Sequence, residues 1–228
     1  MTGDLRRELI LAAAKRCFAR TGFAGTTTKS IAVAASISEG LLFKHFPTKS
    51  ALYAAILTEA CEADPKLETL LGLAPSTETL VVLIRGMVGH FLQTSDAPDE
   101  EEAQRLRLMI TSQLDDGEFA RVLYEKIGDL IGPVFTASLR RAVETGEASE
   151  VGHRPINLFW FAHHMVLQLV LTKLPAAACL SYGEAAQFER QVCEFILRGI
   201  GLNEKAIAAH LECELPPELM LRKAAESA

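Results

Sequence analysis

Residues 26–46 read Thr26-Thr27-Thr28-Lys29-Ser30-Ile31-Ala32-Val33-Ala34-Ala35-Ser36-Ile37-Ser38-Glu39-Gly40-Leu41-Leu42-Phe43-Lys44-His45-Phe46, and the punctuation of this stretch decides the fold. The threonines supply an N-cap hydroxyl ahead of a two-turn helix, Lys29 to Ala35, in which Ile31 and Ala35 share a face. Ser36-Ile37-Ser38 is a tight connector: Ile37 plugs the core, and Ser38 caps a second helix, Glu39 to about Phe46, which Pro47 ends. Two short helices joined by a three-residue turn are what the DNA major groove requires. One rests across the backbone while the other offers its first residues to base edges.

Upstream, Ile10, Ala13, Ala14, Cys17 and Phe18 recur at spacings of three and four, which predicts a first helix stopped at Gly22. Downstream, Thr48 is a further cap candidate, and Lys49 to Ala63 reads as a long amphipathic helix linking this module to the rest of the chain. Phe18, Ile31, Ile37, Leu42, Phe46 and Leu52 are read as core, and Phe43 also reads as core.

The string from Arg7 to Ala13 through Phe18, Gly22, Thr26-Thr27, Ile31-Ala32, Ala35 to Gly40, Leu42-Phe43, His45-Phe46, Lys49 and Leu52 resembles the DNA-binding domain of the TetR family of transcriptional regulators. The resemblance covers about a quarter of the chain and fixes over a dozen positions in order. It implies that Lys29, Ser38, Glu39, Gly40 and Leu41 face bases, with Thr27 beside them as cap or contact. It also puts Lys44, His45 and Lys49 on phosphates, though His45 also reads as a packing residue. The chemistry agrees: Lys29 can donate to guanine O6/N7, Glu39 can accept from cytosine N4, and Leu41 can touch a thymine methyl. Two positions depart from the family pattern. Ser36 stands where glycine is usual, and Phe43 stands where a tyrosine hydroxyl usually meets phosphate.

Charge supports a division of labour. The net charge is −6, yet residues 1–50 carry eight Lys/Arg against three acids, so the remainder holds −11. A basic module fused to an acidic one suggests that only the first faces phosphate. The start of the chain lacks the apolar block of a secretory signal, so a cytoplasmic protein is expected. The cysteines (Cys17, Cys61, Cys179, Cys193, Cys213) are odd in number and lack a C-x-x-C pair, and they read as reduced, inert thiols.

The rest reads as all-α, with helices expected at about 77–94, 99–114, 117–145, 156–174 and 184–201 and breaks at Pro75, Pro98, Gly146, Gly152, Pro155 and Pro175. The expected layout is a helix-turn-helix domain at 1–50, a helical ligand-binding and dimerisation domain at 51–202, and a C-terminal tail at 203–228. Resemblance to the family implies a homodimer joined by the last two long helices and a small apolar or amphipathic effector held in the body. Dimer candidates are Trp160, His164, Phe188, Val192, Phe195 and Gly199; pocket candidates are Met87, Phe91, Met109, Tyr124, Phe135 and His163. Ordinary core packing is the competing reading for each.

The run 156–174 is long enough to span a bilayer, but Asn157, His163, His164 and Gln168 interrupt it, so no membrane span is expected. Adjacent histidines are poorly placed for a shared metal, and no phosphate loop or nucleophile motif appears. No metal, cofactor or catalysis is expected. A DNA-binding protein that takes no ligand has the same sequence pattern as a ligand-responsive one.

Overall fold

The computed structural model describes residues 3–62, 65–96, 109–110, 113–114, 117–172, 180 and 182–212. Among these residues are the helices α1 (Gly3–Gly25), α2 (Thr28–Ala34), α3 (Glu39–His45), α4 (Lys49–Glu62), α5 (Pro65–Gly72), α6 (Thr77–Asp96), α7 (Glu118–Glu144), α8 (Pro155–Leu171), α9 (Ala185–Gly199) and α10 (Glu204–His210), and no β-strand. The all-α expectation therefore holds. Most of the helix expected at 99–114 lies outside the described residues, as do Cys179 and Cys213. The chain divides into two compact units, one of residues 1–64 and 98–128, the other of residues 65–97 and 129–228.

In the first unit α1 packs against α2 and α4, and α2 against α3. Ile10, Ala13, Ala14, Cys17 and Phe18 form the buried stripe of α1, as their spacing predicts. Gly22 takes the left-handed φ of 71° expected of a stop, although helical structure resumes for one more turn to Gly25. The head expected to close at residue 50 has a fourth member. Leu52, Tyr53 and Ile56 of α4 are buried, and Tyr53 meets Phe18 and Phe23 at ring-centroid distances of 4.9 and 5.7 Å.

The turn between α1 and α2 is closed by polar atoms. Thr26 is buried, and its hydroxyl donates to the Gly22 carbonyl at 2.6 Å, within 2.8 Å of the Thr21 hydroxyl. From α4, Lys49 Nζ donates to the carbonyls of Phe23 and Thr26 at 2.8 and 3.1 Å, while lying 4.1 Å from the centroid of the Phe23 ring. The α2–α3 turn is closed by backbone. Ser36 N–H donates to Val33 and Ile37 N–H to Ala32, both at 3.0 Å, the bond pair of a Schellman ending.

In the second unit α6 packs against α5, α8, α9 and α10, and α9 also against α8 and α10. Leu80, Val81, Val82, Leu83 and Ile84 of α6 are buried in succession, so the helix is covered on all sides there. The expected tail does not begin at 203: Asn203 caps α10 through Ala206 N–H at 2.9 Å, and Ala206 and Ile207 are buried. α5 was not anticipated either. The loop after α7 pairs with the stretch before α10, Ser149 N–H donating to Gly201 O at 2.9 Å and Asn203 N–H to Glu147 O at 3.0 Å. Only glycine fits at 201, where φ is 104° and a Cβ would stand 2.3 Å from the Ser149 oxygen.

Glu147 is the hub of this junction. Its carboxylate accepts from the hydroxyls of Thr77 and Thr145 at 2.6 and 3.0 Å, and His210 Nε2 stands 3.3 Å away. The Thr77 hydrogen bond, and after it His210, hold the carboxyl below the usual carboxylate range. Because the folded pKa is the lower one, this contribution is complete above the unfolded-state value, about 4.3, and is lost as pH falls through the folded value. In urea unfolding, Glu147→Gln is expected to be less stable than wild type at pH 7, with the difference closing on acidification below pH 4.

Lys49→Ala is expected to lower stability by about 1–2 kcal/mol, because the Thr26 carbonyl loses the ammonium donor and the Phe23 carbonyl keeps only the Thr26 amide. Lys44→Ala, at an exposed position, is expected to stay within about 0.5 kcal/mol of wild type in the same thermal unfolding assay.

Candidate nucleic-acid interface

The α2–α3 pair stands on two side-chain caps. Thr27 accepts from Ser30 N–H at 3.0 Å, and Ser30 Oγ lies 3.2 Å from the Thr27 amide, so the pair makes a capping box. Ser38 accepts from Leu41 N–H at 3.2 Å and fixes the start of α3. Both helices are anchored from below by Ile31, Ala32, Leu42 and Phe46, all buried. Arg7 of α1 lies 4.9 Å from the centroid of the Phe46 ring.

With that face buried, the opposite one is polar. Thr27, Lys29, Ser38, Gly40 and Lys44 are exposed, while Glu39, Leu41 and His45 are half-buried. Lys49 stands apart from this group. It is half-buried, and its ammonium donates to the carbonyls of the α1–α2 turn, whereas Lys44 is exposed. Glu39 likewise has a partner that spacing alone did not reveal: Thr28 Oγ1 donates to its Oε1 at 2.6 Å.

Both departures from the family pattern are visible. Ser36 has φ 55°, the only positive value at a non-glycine position among the described residues, and it costs about 1 kcal/mol relative to glycine. Phe43 is 44% exposed and so is not core. Val33, at 72%, is a second exposed apolar side chain on this side of the head and was not singled out by sequence.

Of the pocket candidates, Met109 and Tyr124 belong to the first unit, where the Tyr124 hydroxyl lies 3.6 Å from Met109 Sδ. Met87, Phe91, Phe135 and His163 belong to the second. There Phe91 meets His163 at a centroid distance of 5.2 Å, and Phe159 joins Phe135 to His163 at 5.5 and 6.1 Å. Burial, aided by neighbouring His164 and His90, pushes the His163 imidazole down to about 4, so it is neutral at pH 7.

The dimer candidates separate by burial. Phe188 and Val192 are buried within the subunit and are core. Phe195, 66% exposed, and Gly199 continue the same stripe of α9 toward its C-terminal end but are uncovered there, whereas Phe188 is covered by Tyr182 at a ring-centroid distance of 4.5 Å; on α8 His164 is exposed and Trp160 half-buried. Phe161, also 66% exposed, belongs with them and was missed; the apolar character of α8 all round gave no way to choose its outer face.

Cys17 and Cys193 are buried, and burial pushes the Cys193 thiol up to about 12, which makes it inert. No group of three potential metal ligands is found among the described residues, and no described helix is long and apolar enough to cross a membrane.

Residues 10–56 match the tetR family of bacterial regulatory proteins. Over 137 residues the chain is 32% identical to the HTH-type transcriptional repressor Rv1474c of Mycobacterium tuberculosis. That match covers 60% of this chain and 65% of the relative, so the chain spans less than two thirds of the relative's length. Among solved structures, SmeT, the repressor of the Stenotrophomonas maltophilia multidrug efflux pump SmeDEF, is similar with a TM-score of 0.59 at 22% identity, covering 92% of this chain and 97% of that one. RolR in complex with its ligand resorcinol has a TM-score of 0.59 at 16% identity, covering 94% and 97%. At these identities the two structures speak for the fold alone. The helix-turn-helix geometry agrees with these matches: residues 10–56 are similar to the tetR family of bacterial regulatory proteins, and the relatives found by sequence are transcriptional repressors.

Proposed function

We propose that this protein is a transcriptional repressor that grips operator DNA as a homodimer and is released by a small molecule. The observation that carries the DNA-binding reading is the exposed polar face of a doubly capped α2–α3 pair, with Lys29 and Lys44 standing out from it. Lys29, Ser38, Glu39, Gly40 and Leu41 then meet base edges, with Thr27 beside them. Lys44 and His45 meet phosphate.

Dimerisation is supported by the outer face of α8 and α9. A shallow apolar groove of about 220 Å³ runs between Leu158, Phe161, Ala162, Met165, Phe195, Ile196, Gly199 and Ile200. Two phenylalanines exposed on one such face are a large apolar burden for a lone subunit, and a symmetric copy relieves it. A dimer places two heads on successive major-groove half-sites about 34–36 Å apart.

An effector site is supported by the aromatic group of Phe91, Phe135, Phe159 and His163. One turn along α7 from Phe135, the wholly buried Ser138 hydroxyl has no hydrogen-bond partner among the described residues. A small apolar molecule with one polar group suits such surroundings. The resorcinol of RolR, an aromatic ring with two hydroxyls, is a small ligand of related character with one polar group more. Ligand binding that favours one spacing of the heads over another changes operator affinity by population shift.

Affinity for a duplex from the region upstream of the protein's own gene is expected to fall steeply and log-linearly with salt between 50 and 200 mM, by about a hundredfold or more for several phosphate contacts. Binding that ignores salt, or no binding to any duplex, overturns the reading. Phe195→Glu is expected to sediment as a monomer, with its thermal midpoint little changed and its operator affinity lowered at least about tenfold by loss of the second half-site. A variant that remains dimeric disposes of the α8–α9 interface.

A further inference from the structure

The hydrogen bond from Thr28 Oγ1 to Glu39 Oε1, 2.6 Å long, ties the first residue of α2 to the first residue of α3. We propose that Thr28 is a positioning residue for base selection, fixing the Glu39 carboxylate so that α3 demands an amino-bearing base edge opposite it. This rests on the DNA-binding reading above and deepens it by naming what the head selects.

Three features support the assignment. First, the bond is not needed to hold the two helices together. Ser36 and Ile37 amides close the turn on Val33 and Ala32 at 3.0 Å, and Ile31 and Leu42 are wholly buried beneath the pair. Second, the cap does not compete for Glu39, because the Leu41 amide is already served by the Ser38 hydroxyl. The carboxylate therefore keeps Oε2 as an acceptor while Oε1 is held by Thr28. Third, the chemistry is one-sided. A carboxylate only accepts, and the only donors along the major-groove edges are adenine N6 and cytosine N4; guanine O6 and N7 and thymine O4 repel it.

Freedom of motion decides how strongly such a carboxylate discriminates. An untethered glutamate rotates about its side-chain torsions and swings away from a mismatched base into solvent, which blunts the penalty. Held through one oxygen, it stays and imposes the full cost of an unpaired acceptor facing another acceptor. Thr28 touches no base in this scheme. It acts through Glu39.

The test is selection of bound duplexes from a randomised library by the full-length protein, with wild type, Thr28→Val, Thr28→Ser, Glu39→Ala and the Thr28→Val/Glu39→Ala double variant in parallel. Thermal unfolding of each variant checks that the head is folded. Wild type is expected to enrich a site with one position per half-site restricted to adenine or cytosine on the strand facing Glu39. Thr28→Val and Glu39→Ala should each flatten that position by at least about fivefold and leave the others alone. The double variant should flatten it no further, and Thr28→Ser, which keeps the hydroxyl, should retain the wild-type profile.

A Thr28→Val profile identical to wild type, or one flattened equally at every position, overturns the proposal while the enriched wild-type site leaves the DNA-binding reading standing. Failure of wild type to enrich any sequence removes both.

Discussion

Lys49 reaches out of α4 to hold the carbonyls of Phe23 and Thr26, and the head depends on that clamp. The turn it closes sets where α2 begins, and α2 in turn sets α3 through a connector of only a few residues. Backbone carbonyls at a helix end are otherwise left to water, and water holds them in no one direction. An ammonium shared between two carbonyls and stacked on Phe23 fixes the exit angle, and the Thr26 hydroxyl locks the same turn from the inside. Under the DNA-binding reading proposed above, α3 needs this rigidity, since base-edge hydrogen bonds tolerate only small errors in angle.

What was legible in the sequence was chemistry that acts over three or four residues. Thr27, Ser38 and Thr48 could be read as caps because a hydroxyl reaches its own helix's amides, and all three do so. Gly22 could be read as a break for the same local reason. The place of Lys49 in the fold could not be read: its carbonyl partners lie 26 and 23 residues away, and a lysine at the start of a helix beside such a motif reads as a phosphate contact. The Thr28–Glu39 bond was hidden by the same distance in sequence.

In the body the obstacle was different. Helical periodicity groups Phe188, Val192 and Phe195 on α9, but Phe188 and Val192 are buried within the subunit while Phe195 is left uncovered. On α8, Phe159 and Phe161 are two residues apart and therefore on different sides, one buried and one exposed. When a helix is apolar on both sides, spacing identifies the sides and only packing against α6 decides which of them is the core. The short α5 and α10 escaped for want of length: two turns do not establish a period, and α10 owes its place to its Asn203 cap and the Glu147 junction.

Three helices end in the same bond pattern, and comparing them shows what Ser36 costs the head. After α7 and α9 the left-handed residue is a glycine, Gly146 with φ 73° and Gly201 with φ 104°. After α2 it is Ser36, with φ 55°. The strain is tolerable because Ile37, the next residue, is half-buried and its amide completes the same pair of bonds, so the hydrophobic contact of the motif offsets about 1 kcal/mol of backbone cost. Phe43 is the complementary case: it costs little in the folded head, yet it removes a hydroxyl from the exposed face of α3. With Lys49 also committed to the fold, phosphate binding under the function proposed above would rest less on directed hydrogen bonds and more on point charges such as Lys44. A grip built that way owes more of its strength to counterion release and less to fixed geometry, which leaves sequence preference to the few side chains that are held in place.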